Sequence, residues 1–387
     1  MDGPGMNAVP DMTIRLDRDD EARAQFVIAL KAVVNLDMAA DIRAAFDTRI
    51  APQLEARLGR TLVATNDADR DAAHDALVQE PQYRTWSALT YMSQTLMWDT
   101  VGTFVDRQLP RLQDAADALD NRAGKLGSLT LDPDLPLPWN VAEVEIHRQP
   151  GGFCFEKHDR DIEAGARYNG GGMIYAAGKG RNALAGKSGG DFIAGIVAER
   201  WPDFAPPRRI LEIGCGTGRN TIGYARLFPE AEVHGVDCAA GLLRWAHATA
   251  ESQGLAIHFS QMDVAAMAYP DESFDLIVSH IVGHELTEDR LPAMIAECWR
   301  LLAPGGVAVH LDVPIQPGYL GLVDQVLNDW QMQHNNERSW RVWADADVPA
   351  FLRTAGFPDD ASFAEHVNQG ERDIWFAYGG RKPERSA

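Results

Sequence analysis

Three glycines and one acid near the middle of the chain have the types and spacing of a nucleotide-binding site. Gly214, Gly216 and Gly218 alternate directly after the apolar run 210–213, and Asp237 follows 19 residues after the last glycine. A glycine lets a ligand approach the backbone, because no side chain stands in the way. An acid at the end of the next strand can accept hydrogen bonds from both hydroxyls of a ribose. The pattern therefore predicts a site for a ligand that contains a nucleoside.

These residues need a strand, a tight turn, a helix and a second strand to bring them together. The run 210–213 predicts the first strand, and the run 231–237, which ends in the acid, predicts the second. Enzymes that bind NAD use the same order of elements. Their G-x-G-x-x-G spacing fails here, because Arg219 stands where the third glycine is required.

The segment 212–218 has the form E-x-G-x-G-x-G and resembles the first motif of class I S-adenosylmethionine (SAM) methyltransferases. The resemblance continues in order through 261–264, 274–280 and 300–306. These segments are similar to the family's adenine-contacting segment, its fourth strand and the turn before its fifth strand. The resemblance covers about residues 190–380. It implies SAM as the cofactor and an α/β fold with a doubly wound, seven-stranded, mostly parallel sheet, whose last strand is antiparallel between its neighbours.

The resemblance also implies a role for each part of the site. The turn that starts at Gly214 would hold the methionine end of SAM with help from Glu212. Asp237 would hold the ribose, and Asp263 would accept a hydrogen bond from the adenine amino group. Tyr168 precedes the first strand, where related enzymes place a cofactor lid. The full predicted cofactor-binding set is Glu212, Gly214, Cys215, Gly216, Gly218, Asp237, Cys238, Met262, Asp263, Val264, Ser279 and Tyr168.

Each of these residues also has an ordinary structural interpretation. The glycines could form only a tight turn, Asp237 could cap a helix, and Asp263 could be a loop carboxylate in solvent. Tyr168 could pack as a buried aromatic residue, and small size alone explains Cys215 and Cys238.

Two histidines after the fourth strand of this motif order are the predicted catalytic residues. His280 ends the strand, at the edge where the family faces the sulfonium and the acceptor. The stretch 284–289, H-E-L-T-E-D, resembles the H-D-W-S-D-E stretch of plant-type O-methyltransferases, whose histidine is the general base. The imidazole of His284 has a pKa suited to taking a proton from a hydroxyl. Glu285 and Leu286 depart from that motif, and a packing or capping role is the alternative for His284.

Aromatic and polar residues between 330 and 343 predict part of an acceptor pocket. This segment follows the predicted fifth strand and contains Trp330, Trp340 and Trp343, together with Glu337. Aromatic walls with a few amides and a carboxylate suit a small polar or cationic acceptor. An aromatic surface helix is the alternative.

Composition excludes several classes of partner. The 387 residues include 36 basic and 56 acidic side chains, so the formal net charge is −20. Such a surface repels nucleic-acid backbones and anionic membranes. The four cysteines are scattered without a C-x-x-C pair, which predicts no metal site and favours a cytoplasmic location. No signal sequence or bilayer-length apolar run is apparent.

Hydrophobic periodicity predicts three regions. Residues 1–130 are predicted to form an all-helical region that acts as a cap or a dimerisation surface, and Pro110 is expected to interrupt its main apolar stripe. Residues 131–190 are a linker and lid segment, in which 141–147 alternates weakly like a strand. Residues 191–387 are the SAM-binding domain. The helical region could support a homodimer.

The predicted function is transfer of a methyl group from SAM to a small-molecule acceptor. Oxygen is the first choice of acceptor atom because of His284. Nitrogen or sulfur acceptors stay open, because both can react without a dedicated base. A SAM-binding regulatory module without turnover and an NAD-dependent oxidoreductase are the alternatives from other classes.

Overall fold

The N-terminal part of the chain is helical, as predicted. The computed structural model describes residues 9–178, 189–368 and 374–385. The first helical stretch contains α1 (Arg18–Ala32), α2 (Ala39–Ala45) and α3 (Ala51–Leu58), joined by π-helical turns at Val33–Met38 and Phe46–Ile50. Asp17 and Asp20 form a capping box at its start, and Gly59 ends it with a φ of +69°.

Two further helices complete this region. Helix α4 (Asp67–Leu77) precedes α5 (Pro81–Asp120), a continuous helix of 40 residues. The expected break at Pro110 is wrong. Proline removes one main-chain donor, but the buried side chains of α5 lie on both sides of it, from Tyr83 to Leu119. Packing of that long apolar stripe therefore outweighs the local cost.

A short strand, β1 (Ser128–Thr130), ends the region that was expected to be all-helical. The linker that follows has α6 (Trp139–Ala142) and a 3₁₀ turn at Ile146–Arg148, and the strand expected at 141–147 is wrong. His147 and Arg148 have φ values of +55° and +60°, which no strand residue adopts. Helices α7 (Glu163–Gly178) and α8 (Gly189–Arg200) follow.

The sheet has the predicted doubly wound layout with one additional strand. Its strands are β1, β2 (Arg209–Ile213), β3 (Glu232–Asp237), β4 (Ile257–Gln261), β5 (Phe274–His280), β6 (Leu302–Asp312), β7 (Ser362–Asn368) and β8 (Ile374–Arg381). Their order is β1-β4-β3-β2-β5-β6-β8-β7. The pairs from β1 to β6 are parallel, and β8 is antiparallel between β6 and β7, as expected. The short edge strand β1 makes the sheet eight-stranded rather than seven-stranded.

Helices cover both faces of this sheet. One core lies between the sheet and α8, α9 (Arg219–Leu227) and α10 (Ala240–Ser252). The opposite core contains α11 (Arg290–Leu301), α13 (Trp340–Ala344) and α14 (Val348–Ala355). Helix α12 (Leu322–His334) packs on the N-terminal helices α2 and α4 and on α13. All parallel strands therefore end at one edge, where ligands bind in folds of this kind.

The N-terminal helices pack on their own chain at two places. Part of α5 packs with α7 and with Trp245 and Ala248 of α10. Trp86, on the same helix, lies edge-on to Trp330 of α12, with 6.3 Å between the ring centroids. The apolar stripe of α5 is thus largely covered within one chain.

None of the helices in the described ranges combines the length and the apolar character that crossing a bilayer requires.

Candidate active site

The glycine turn lies at the carboxyl end of β2 and is fixed to β3. Gly214, Gly216 and Gly218 have φ values of +63°, +52° and +73°. The Cys215 amide donates to the Val236 carbonyl (3.0 Å), and the Gly216 amide donates to Asp237 Oδ2 (2.9 Å). The left-handed backbone explains why three glycines are needed.

The three glycines differ in what a side chain would meet. A Cβ on Gly214 would lie 2.6 Å from a methyl of Val282, and one on Gly218 would lie 2.9 Å from Ala246 Cβ. A Cβ on Gly216 would meet Tyr168 at 3.5 Å and Leu242 at 4.0 Å, both ordinary contact distances. Gly216 is therefore the position of the turn that faces the aromatic ring across the cleft.

Glu212 lies beneath the turn and is almost fully buried. Its Oε2 accepts a hydrogen bond from the Thr221 hydroxyl in the first turns of α9. Burial raises the pKa of Glu212 to about 8, against the effect of that hydrogen bond. The carboxyl group joins β2 to α9, and its contact with the methionine end of SAM stays a prediction.

The predicted ribose and adenine acids lie at the ends of neighbouring strands. Asp237 ends β3, accepts from the Gly216 amide and also accepts from the Ala239 amide (2.9 Å). Burial raises its pKa. Asp263 follows β4, the strand paired with β3. It accepts from Arg290 Nε (3.2 Å) and from the Ala265 amide. The two carboxylates have the order along the edge that a ribose and an adenine require, and their roles stay predictions.

The residues next to Asp263 and Asp237 in the sequence differ in their surroundings. Met262 is half-buried and Val264 is buried, and both belong to the core around α11. Cys238 is half-buried, and its carbonyl accepts from the Gln261 side chain (2.9 Å). All four cysteines are free thiols.

The side chains of Cys215 and Ser279 point into the protein interior. Cys215 belongs to the core on the α9 face, and burial raises its pKa well above the ordinary value. The Ser279 hydroxyl bonds His310 Nδ1 (2.8 Å) between β5 and β6. A contact of either residue with SAM would have to use the main chain.

The two candidate catalytic histidines are not equivalent. His280 ends β5, and its ring lies against Trp375 of β8, with 4.9 Å between centroids. The ring of His284 lies in the turn after β5, edge-on to Trp340. His284 Nδ1 is 2.6 Å from Asp312 Oδ1, at the end of β6. The other oxygen of Asp312 accepts from the amides of Val282 (3.1 Å) and Gly283 (2.6 Å).

The surroundings of His284 favour its charged form. Burial alone would lower the pKa of His284, but Asp312, Glu285 and Glu337 raise it to about 10. Its Nε2 lies 3.6 Å from Glu285 Oε1. The Asp312 contact fixes the ring, and Nε2 is directed toward the carboxylates of the cluster described next.

A cluster of His147, Glu285 and Glu337 lies beside His284. His147 Nδ1 contacts Glu337 Oε1, and His147 Nε2 is 3.5 Å from Glu285 Oε1. Burial is the main cause that raises the pKa of Glu285 to about 7, followed by repulsion from Glu337. We call these three residues the His147 cluster. No sequence pattern indicated His147, because the weak alternation at 141–147 resembles a strand, whereas His147 lies in a turn with a positive φ.

Tyr168 lies at the cleft between the glycine turn and the acceptor side. Its ring lies next to Gly216 and edge-on to Phe153, with 5.3 Å between centroids. Burial raises its pKa, and the charges of Glu285 and Asp237 raise it further. Tyr168 therefore lies between the predicted ribose acid and the His147 cluster, which is where a lid over the reacting centre would stand.

Only part of the predicted acceptor wall reaches this cleft. Glu337 belongs to the His147 cluster, and Trp340 contacts His284. Trp330 instead packs against the N-terminal helices, and Trp343 packs against Phe376 and Tyr378 in the core.

Sequence comparisons with known proteins match the segment that forms this site. Residues 210–306 match the family described as a methyltransferase domain. A demethylmenaquinone methyltransferase of Thermus thermophilus is 39% identical over 121 residues, which are 31% of this chain and 54% of that protein. A malonyl-[acyl-carrier protein] O-methyltransferase of Halorhodospira halophila is 37% identical over 40% of this chain and 49% of its own length. The chain thus spans about half the length of these relatives.

Solved structures give the same kind of match over a similar part of the chain. One is the phosphoethanolamine N-methyltransferase 2 of Haemonchus contortus in complex with SAM, with 15% identity and a TM-score of 0.42. The match covers 53% of this chain and 55% of that one.

The sheet order, the glycine turn and the matched segment agree with one another. The chain therefore has the class I fold of methyltransferases that use SAM, and its residues 210–306 are similar to a methyltransferase domain.

Proposed function

We propose that this protein transfers a methyl group from SAM to a hydroxyl oxygen of a small molecule. The observation that carries the proposal is the His284–Asp312 pair, 2.6 Å apart, at the same sheet edge as the glycine turn.

The cofactor supplies the reactivity in such a transfer, and the protein supplies position and charge. The acceptor oxygen attacks the sulfonium methyl in line with the bond that breaks, so SAM becomes S-adenosylhomocysteine and its positive charge is lost. The turn at Gly216, with Asp237 and Asp263, would fix SAM along the strand ends. Tyr168 would cover the reacting groups and exclude water.

An alcohol or phenol must lose its proton as it attacks. Asp312 holds Nδ1 of His284, so Nε2 is the nitrogen that faces the cleft. It can take that proton only while the ring is neutral, a form that the positive charge of bound SAM would favour over the charged form of the empty cleft. The ring of His280 packs on Trp375 of β8, outside the His284–Asp312 pair. We therefore assign the base role to His284 and a place in the wall to His280.

A small-molecule acceptor fits the surroundings of this cleft. The formal charge of −20 is unfavourable for nucleic acid. The N-terminal helix α5 holds the segment around His147, because Trp98 Nε1 and Gln94 Nε2 both donate to the His147 carbonyl. The helical region would thus act as a cap over the acceptor side. A homodimer and a cytoplasmic location stay predictions.

The test measures binding and turnover separately. Isothermal titration of the full chain with SAM should show one site, and incubation with SAM and a pool of hydroxylated metabolites should release S-adenosylhomocysteine. Mass spectrometry of the product should locate the methyl group on oxygen. Binding of SAM without product from any pool would instead indicate a regulatory module, and binding of NAD in place of SAM would indicate an oxidoreductase.

A further inference from the structure

The His147 cluster has the geometry of a metal-binding site. One ring nitrogen of His147 and one oxygen each of Glu285 and Glu337 lie within 4.8 Å of one another. The three residues come from the linker, the turn after β5 and the loop after α12. Such convergence from distant parts of the chain brings one imidazole and two carboxylates to a single point.

Glu337 carries an unused acceptor in this cluster. Its side chain is only 1% exposed, and its Oε2 has no hydrogen-bond partner among the residues that the structure describes. A buried carboxylate oxygen without a donor is costly, because nothing replaces the water that it has lost. A bound cation would supply the missing partner.

The side chains around the His147 cluster also favour a bound cation. Glu285, Glu337 and Asp312 are 15%, 1% and 1% exposed, and the imidazoles of His147 and His284 are the basic side chains that lie against them. Among the described residues, no lysine or arginine forms an ion pair with Glu285 or Glu337. Three carboxyl groups thus face two imidazoles.

The chain holds each member of the cluster in place. Gln94 and Trp98 bind the carbonyl of His147, as described above, and Asn140 Nδ2 donates to the Glu285 carbonyl (2.6 Å). Asn336, next to Glu337, donates to the carbonyl of Glu145 (2.9 Å). Ligands fixed by contacts of this kind favour a defined coordination geometry.

We propose that His147, Glu285 and Glu337 bind one divalent transition-metal ion, such as Zn²⁺ or Mn²⁺, on the acceptor side of the cleft. An imidazole with carboxylates is a donor set for these ions, whereas Mg²⁺ prefers oxygen ligands only. Three protein ligands leave coordination positions open for an acceptor oxygen.

The role of this ion rests on the proposed function. A hydroxyl bound to the cation is more acidic, so its proton passes to Nε2 of His284 as the oxygen attacks the methyl. The new C–O bond forms as the C–S bond of SAM breaks, and the sulfonium becomes a neutral thioether. The ion changes neither its charge nor its ligands to the protein.

The test uses metal binding by the full chain without SAM. Protein treated with EDTA and then freed of the chelator is titrated with Zn²⁺, Mn²⁺ and Mg²⁺, and binding of Co²⁺ is followed by its visible absorption. We expect one equivalent of Zn²⁺ or Mn²⁺ and weaker binding of Mg²⁺. Glu337→Gln and His147→Asn should each weaken Zn²⁺ binding at least about tenfold. Asparagine tolerates the positive φ of His147.

Glu143→Gln is the matched control, because Glu143 is exposed and lies four residues before His147. It should bind like the wild type. Absence of binding by the wild type, or equal binding by folded Glu337→Gln, would overturn the metal site. SAM titration of the same samples keeps the two proposals apart: SAM binding without metal binding refutes only the metal site, and metal binding without SAM binding refutes only the methyltransferase.

Discussion

At the level of single residues, buried carboxyl groups hold His284 and the glycine turn in position. Asp312 accepts hydrogen bonds from the His284 ring and from four main-chain amides, so the ring is held by a carboxylate that is itself fixed. Glu212 plays the corresponding part beneath the glycine turn through Thr221. Both carboxyl groups are nearly inaccessible to water, so each acts through the partner that it holds.

His284→Ala should lower the turnover number by about 10²- to 10⁴-fold, because the proton of the acceptor loses its nearby base. The dissociation constant of SAM should change by less than about threefold, since His284 lies on the acceptor side. Steady-state kinetics and SAM titration measure the two quantities. His158→Ala, at an exposed histidine, is the control. Unchanged turnover in His284→Ala would remove the base role.

Glu212→Gln should alter how stability depends on pH. The folded-state pKa of Glu212 is about 8, raised above its unfolded value of 4.5 by burial. The folded protein therefore holds a proton that the unfolded chain releases, and its free energy of unfolding falls as pH rises from about 4.5 to 8. Urea unfolding at pH 5 and pH 8 should show a smaller fall in Glu212→Gln than in the wild type. An equal fall in both proteins would show that Glu212 is ionised in the folded state.

At the level of elements, the turn between β2 and α9 is the part of the site that depends most on backbone shape. Gly216→Ala places a methyl group at an ordinary distance from Tyr168, so the protein should fold with a loss of about 1–2 kcal/mol from the left-handed backbone. The same methyl group occupies the face of the turn that SAM would approach. We expect SAM affinity to fall at least tenfold by isothermal titration.

Gly59→Ala provides the matched control for this substitution. Gly59 has a φ of +69° and nothing within 4 Å of an added Cβ, so the backbone cost is similar and the cleft is untouched. Its SAM affinity should equal that of the wild type. Equal affinity in Gly216→Ala as well would place the cofactor away from the turn.

Sequence and structure agree best where the pattern is local. The glycine turn, the acid that ends β3 and the antiparallel β8 follow from motifs and their order. The helix through Pro110 was not predicted, because its stability comes from packing on both sides of the proline. The strand expected at 141–147 is wrong, because tertiary hydrogen bonds to the His147 carbonyl favour a 3₁₀ turn.

The acceptor side was the hardest part to predict. His147, Glu285 and Glu337 are separated by more than 50 residues at each step, and only the fold brings them together. Glu285 counted as a departure from the family stretch, yet it lies between both histidines. Spacing rules detect ligands that share one element, and these residues share none.

At the level of the whole molecule, the helical region shares buried cores with α10 and α12, two helices that follow strands of the sheet. Trp330 of α12 is buried among α1–α5 and donates its Nε1 to the Ser87 hydroxyl (2.9 Å). Arg43 of α2 pairs with Asp324 of α12 (2.6 Å). The cap over the acceptor side is thus fixed to the element that follows β6.

Trp330→Ala should lower the free energy of unfolding by about 3–5 kcal/mol, because a large buried side chain leaves a cavity. Urea unfolding followed by far-UV circular dichroism and by fluorescence should still give one coincident transition. The exposed Trp139, replaced by alanine, should change stability by less than about 0.5 kcal/mol. Two separate transitions in the wild type would show that the helical region unfolds independently.

The position of the cofactor is tested most directly by a crystal structure of the full chain with S-adenosylhomocysteine. We expect the ribose hydroxyls on Asp237, the adenine beside Asp263 and the sulfur near Gly216, facing His284 across the place of the missing methyl group. A nucleoside bound elsewhere, or a cleft beside Gly216 that Tyr168 fills at saturating ligand, would contradict a SAM site at this sheet edge.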